Sequence, residues 1–161
     1  MAITKAKKGE IVKGLEHALK SAKSLVFVNF HGLKVSDATA LRRQLKGEGV
    51  SYQVAKKSLT KRVLDKEAFA GTQPELTGEL ALAWGEDLVA PAREVYGFQK
   101  KFPEALSILG GVFEGKYMNK SEMEGIALIP SLDVLRGKFV NIINSPIQRF
   151  AIALGEVSKK K

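Results

Sequence analysis

Cysteine is absent from the 161 residues, which excludes disulfides and thiolate metal sites and fits a reducing compartment. Histidine is nearly absent. His17 falls in a helical pattern and His31 in a loop, neither spaced to a second ligand, so both read as ordinary surface or partly packed side chains and no metal or cofactor site is expected. Long apolar runs are missing: uninterrupted stretches such as Leu25–Val28 and Leu80–Trp84 stop far short of the roughly 18 residues of a membrane span. The basic N-terminus runs into Gly9, Glu10 and Lys13 without an apolar segment, so no signal peptide is expected and the chain reads as cytoplasmic and soluble. Aromatics make up only 7%, which leaves little for stacking on nucleobases; Tyr52 is the main one among the basic residues.

What is present is an ordinary 45% of hydrophobic residues, enough for one compact domain or a domain with an appendage, and a very uneven charge. Residues 1–62 hold 14 Lys and Arg against 4 acids, residues 63–130 hold 6 against 11, and residues 131–161 hold 6 against 2. The net +9 therefore comes almost wholly from the first two-fifths. A basic front and an acidic middle suit a chain that faces a polyanion in one orientation.

Apolar and polar periodicity alternate between helix and strand. Over residues 4–22, Ile11, Val12, Leu15, Ala18, Leu19 and Ala22 share one helical stripe, with Thr4 as an expected N-cap. Leu25–Val28 reads as a strand buried on both faces. Ser36 is expected to cap a helix with Asp37 in its first turn and Leu41 and Leu45 inward. Gly47 and Gly49 stop it. Val50–Val54 alternates as a strand, and a helix from Lys56 turns Leu59, Val63 and Leu64 inward. Strand Glu79–Trp84, helix Asp87–Phe102, strand Leu106–Phe113, a turn at Glu114-Gly115, a short return strand and a helix near Lys120–Ala127 follow. The expected class is α/β (α+β): a mixed sheet of about four main strands flanked by helices, plus an extended C-terminal amphipathic helix. Pro130 divides the chain into a globular domain, 1–130, and a helical arm, 131–161. Within the arm, Ser145-Pro146 is expected to start a separate helix over 145–158.

No catalytic constellation emerges, so the chain is not expected to be an enzyme. Glu86-Asp87 reads as compensation of a helix dipole. Gly110–Lys116 fits the G-x-x-x-x-G-K part of a phosphate loop, but Tyr117 stands where a compact hydroxyl is required, and a β-hairpin turning at Gly115 explains it better. The basic surface is stronger. Arg42 and Lys46 stand four apart with Arg43 between them, and Lys57 and Lys61 repeat the spacing beside Lys56 and Arg62. Like charges so placed weaken a helix by a few tenths of a kcal/mol per pair, about 0.2–0.5, and an external anion offsets that. With Lys7 and Lys8 they point to RNA phosphate. On the terminal helix Ile147, Phe150, Ala151, Leu154 and Val157 form a stripe for which the sequence offers no cover. Its burial is worth roughly 5–12 kcal/mol gross. Docking on a partner's helices suits it better than core packing. It also suits better than a membrane surface, which wants more cations on the polar face.

Phe30-His31-Gly32-Leu33-Lys34-Val35, then Leu41-Arg42-Arg43, Gly49-Val50 and Val54-Ala55-Lys56-Lys57-Ser58-Leu59 resemble, in order and spacing, the L-ten family of stalk-base proteins of the large ribosomal subunit, relatives of P-zero. The resemblance spans essentially the whole chain, and its short length without an acidic tail looks bacterial. It implies that the domain binds rRNA of the GTPase-associated region beside a neighbouring ribosomal protein, with contacts near Gly32, Leu33, Arg42, Lys56 and Ser58. It implies that the terminal helix holds dimers of the small acidic stalk protein, which recruit translation-factor GTPases. Lys57 departs from the family, which usually has Asn there, so a point charge replaces an amide. The short stripe leaves room for one or two dimers. A phosphohydrolase built on Gly110–Lys116, and a peripheral membrane or other RNA-binding adaptor, are the competing readings.

Overall fold

The centre of the sheet is the apolar run Leu25–Val28. In the computed structural model, which describes residues 5–67 and 69–159, it lies within β1 (Ser24–Phe30), whose first five residues are all buried. A strand buried on both faces belongs in the middle, and β1 stands third in the order β2-β3-β1-β4-β5. The other strands are β2 (Ser51–Val54), β3 (Leu80–Gly85), β4 (Leu106–Phe113) and β5 (Lys116–Asn119). All four ladders are antiparallel; a single parallel bridge joins Ala70 to Lys116. The α/β (α+β) class holds, with a fifth strand where the short return was expected.

The two-residue alternation of β1 feeds two cores. Val26 and Val28 meet Leu41 and Leu45 of α2 (Val35–Gly47), Val95 and Phe98 of α4 (Ala90–Lys101), and Met123 of α5 (Lys120–Ala127). Leu25 and Phe27 meet Leu15 and Leu19 of α1 (Lys5–Ser21) and Val63 and Leu64 of α3 (Lys57–Lys66). Helices therefore cover both faces. Fully burying each large apolar side chain of this kind is worth about 1.5–3 kcal/mol, which is why α2 and α3 stay in place despite their like-charged outer faces.

β4 lies between two strands and gets close to both through adjacent glycines. Its register against β1 shifts between Phe27 and Val28, which leaves Leu109 as a bulged residue. Gly110 has φ +152°, and a Cβ on it would lie 2.6 Å from the Met118 carbonyl oxygen. A Cβ on Gly111 would run into the Leu25 carbonyl oxygen and the Met123 side chain. Gly110–Lys116 is thus strand, turn and strand, with Gly110 opposite Asn119 and Phe113 opposite Lys116.

Several local expectations shift. Ser36 does not cap α2: Lys34 holds the N-cap position without a side-chain hydrogen bond, and the Ser36 hydroxyl lies 3.3 Å from Asp37 Oδ1. The helix starts earlier because the Lys34 carbonyl already accepts its first hydrogen bond, from Ala38 N–H. At the other end Gly49, φ +70°, closes α2: Val50 N–H donates to Leu45 O and Gly49 N–H to Lys46 O, a Schellman closure. α4 is shorter than expected, because Asp87 Oδ1 accepts from Val89 N–H and holds the approach in a turn. Thr4, the expected cap of α1, and Lys160–Lys161 lie outside the described residues.

The chain divides into two compact units at Ile129–Pro130. The second contains one helix, α6 (Leu132–Lys159), 28 residues long with Pro146 inside it. The expected break at Ser145-Pro146 does not occur. Pro in a helix interior costs about 3 kcal/mol through one lost hydrogen bond and a clash, and α6 carries that cost while remaining continuous. No described helix is long and apolar enough to cross a membrane.

Candidate nucleic-acid interface and partner helix

β1 and β2 run in the same direction with β3 between them: Asn29 pairs with Leu80 and Val54 with Ala81. Both therefore finish at one end of the sheet, where β4 also begins, Leu106 pairing with Phe30. The chain leaving β1 turns through Gly32, φ +64° and exposed, and Leu33, partly buried against the core. It then enters α2. The chain leaving β2 passes Ala55 and Lys56 and enters α3. Two helix N-termini thus open at one sheet end.

Both start in an unusual way. Lys34 is the N-cap of α2 and Lys56 that of α3, neither giving a side-chain hydrogen bond, and α3 has no acid in its first turn. Helix starts ordinarily carry Ser, Thr, Asp or Asn at the cap and acids nearby. Here the free N–H groups and the positive ends of two dipoles are combined with Lys34, Lys56, Lys57 and the hydroxyl of Ser58. Anions are the ligands that such an arrangement favours. Lys100 and Lys101, in the last turn of α4, reach the same end, since only four residues separate them from β4. The far end of the sheet is different: Glu48, Glu86 and Asp87 surround a concavity there with Lys23.

Arg42, Arg43 and Lys46 are exposed on α2, and Lys56, Lys57, Ser58, Lys61 and Arg62 are exposed at and along α3. The structure does not merge them into one flat patch. α2 lies on one face of the sheet and α3 on the other, so the two clusters meet around the free edge of β2. Arg42 and Lys46 share a concavity with Tyr52, Gln53 and Trp84 at that edge. The Arg42 guanidinium stands 6.0 Å from the Tyr52 ring centre. Burial pushes the Tyr52 hydroxyl pKa up, and the nearby Arg42 charge partly opposes this. Lys7 and Lys8 are exposed on α1, which packs beside α3. Among the described residues the ion pairs are made by Lys66, Arg93 and Arg136, not by the basic residues of these two clusters.

On α6 none of the residues is buried. Ile147, Phe150, Leu154 and Val157 are exposed, as expected, and so are Leu132, Leu135, Phe139, Ile142 and Ile143 further up. At 100° per residue these nine fall in one stripe spanning both sides of Pro146. Ala151 sits at the stripe's margin. The seam is therefore about twice the expected length.

A family model described as "Ribosomal protein L10" matches residues 3–100. Proteins named "Large ribosomal subunit protein uL10" from Bacillus cereus (strain B4264) and Bacillus anthracis (strain A0248) are each 38% identical over 155 residues, 96% of this chain and 93% of theirs. The chain belongs to the ribosomal protein L10 family. The L10 family model ends inside α4, whereas the uL10 relatives span nearly the whole chain. The L10 family is one of structural, non-enzymatic proteins, and the phosphohydrolase reading ends with the hairpin at Gly110–Lys116. Within this L10-family chain, segment-wise charge counting missed Lys100 and Lys101, because both lie in the acidic middle; only the fold carries them to the basic end.

Proposed function

We propose that this chain is a structural component of the large ribosomal subunit and forms the base of its stalk. The first unit grips rRNA of the GTPase-associated region, beside a neighbouring ribosomal protein, through Lys7, Lys8, Gly32, Leu33, Arg42, Arg43, Lys46, Lys56, Lys57, Ser58, Lys61 and Arg62. The observation that carries this reading is the pair of lysine-capped helix N-termini opening at one sheet end, where phosphate is the fitting counter-charge. The helical arm, residues 131–161, anchors dimers of the small acidic stalk protein along α6. Ile147, Phe150, Ala151, Leu154 and Val157 make one docking segment, and the exposed seam above Pro146 supports a second. Mechanism here is tethering: held dimers keep factor-recruiting domains at high local concentration on the ribosome.

Filter binding against an rRNA fragment of the GTPase-associated region tests the first half. Arg42→Glu with Arg43→Glu is expected to weaken binding and to flatten its salt dependence, since fewer counterions are released. An unchanged affinity and slope removes α2 from the interface. Native mass spectrometry with the stalk protein tests the second half, and a complex surviving removal of all of α6 refutes it.

A further inference from the structure

Between the start of α3 and the segment 73–77 lies a concavity of 520 Å³, within the range of about 300–1,000 Å³ that holds small ligands. Lys57, Ser58 and Lys61 form one wall and Gln73, Pro74 and Glu75 part of the other. The second wall belongs to the connection between α3 and β3, long for a segment without helix or strand of its own, a type usually tied to function. It is firmly held. Ala70 N–H donates to Gly115 O at 3.0 Å and Tyr117 N–H to Ala70 O at 2.8 Å. Pro74 packs over Gly110, and Glu79 N–H donates to Asn29 Oδ1 at 3.0 Å. The concavity is thus shaped before any ligand arrives.

Gln73 is the anomaly in this wall. Its Nε2 is one of two buried side-chain polar atoms, among the described residues, that meet no hydrogen-bonding partner. A buried donor left without an acceptor costs stability, and the terminal torsion of a glutamine is soft enough to turn that amide toward a ligand. Glu75 argues against a bare phosphate as the occupant, because a carboxylate repels it and accepts from N–H groups instead. With the Gln73 amide turned outward, the lining offers two cations and a hydroxyl on one side, and a donor and an acceptor on the other.

We infer that this concavity seats one unstacked nucleotide of the RNA strand, its phosphate against Lys57 and Lys61 and its base edge against Gln73 and Glu75. This rests on the RNA reading above and narrows it to a single nucleotide site, since splayed-out bases are what proteins read by hydrogen bonding in RNA. Guanosine 5′-monophosphate titrated into the isotope-labelled full chain is expected to shift the Gln73 side-chain amide signals together with the backbone signals of Lys57 and Lys61. Inorganic phosphate is expected to shift only the latter. A Gln73 signal unmoved by the nucleotide, or moved equally by phosphate, overturns the proposal. In the full chain, Gln73→Leu is expected to weaken rRNA-fragment binding about tenfold, while the melting temperature holds or rises. If Gln73→Leu binds like wild type while the Arg42/Arg43 reversal does not, the nucleotide seat falls and the RNA reading stands. If the unaltered chain itself fails to bind the rRNA fragment, the RNA reading falls with it. Should Gln73→Leu fail to fold, the nucleotide titration on the unaltered chain decides.

Discussion

At the scale of single residues, two features have measurable consequences. Gly111 has no room for a side chain, since a Cβ would meet the Leu25 carbonyl and Met123. Gly111→Ala is expected to destabilise the fold by about 1–3 kcal/mol, the usual cost of overpacking, read as a lower urea midpoint at unchanged slope. Tyr52 gives a pH dependence. Its hydroxyl pKa is raised above the usual 10.0 by burial, Arg42 partly opposing. The folded chain therefore holds that proton more tightly than the unfolded chain does. The resulting stability is complete below the unfolded value and is lost as pH rises through the folded one. As pH rises above the usual tyrosine value of about 10, Tyr52→Phe is expected to lose less stability than wild type in parallel urea titrations; equal losses would remove this group from the alkaline transition. Arg42 near Tyr52 was visible in the sequence only as a basic residue and a lone aromatic. Their proximity comes from a helix and an edge strand meeting on one face, which no local pattern encodes.

At the scale of elements, the sequence was legible wherever burial dictated the pattern. The apolar run of β1, the inward residues of α3, the hairpin at Glu114-Gly115 and the glycine stop of α2 all follow from local chemistry. Helix starts were less legible. Ser36 and Ser145-Pro146 look like starts, yet the first falls inside α2 and the second inside α6, because capping preferences of about 0.5–2 kcal/mol give way to the continuity of a longer helix. The connection 69–79 was silent, having no periodicity to read. The continuity of α6 also makes a prediction. A helix turns by 100° per residue, so deleting one residue between Asn144 and Ile147 swings the lower half of the seam away from the upper half. Stalk-protein stoichiometry in native mass spectrometry is expected to drop on that deletion. Deleting seven residues, close to two full turns, keeps the surviving parts in line.

At the scale of the whole first unit, lysines predominate at one end of the sheet, with Glu75 and Glu79 among them, and acids predominate at the other, around Lys23. The sequence showed that one stretch is basic and another acidic. It did not show that the shared direction of β1 and β2, together with the return of α4 from the oppositely directed β3, collects lysines of three helices at one end and leaves Glu48, Glu86 and Asp87 at the other. Glu86→Gln with Asp87→Asn is expected to raise affinity for unrelated RNA more than for the GTPase-associated fragment, shrinking the ratio between them at fixed salt. An unchanged ratio would mean that the acidic end takes no part in selection. Such a unit behaves as an electrical compass needle near nucleic acid. It is turned before it touches, wrong-way collisions are repelled at a distance of about one Debye length, ~8 Å in physiological salt, and fewer encounters are wasted while a subunit is being assembled.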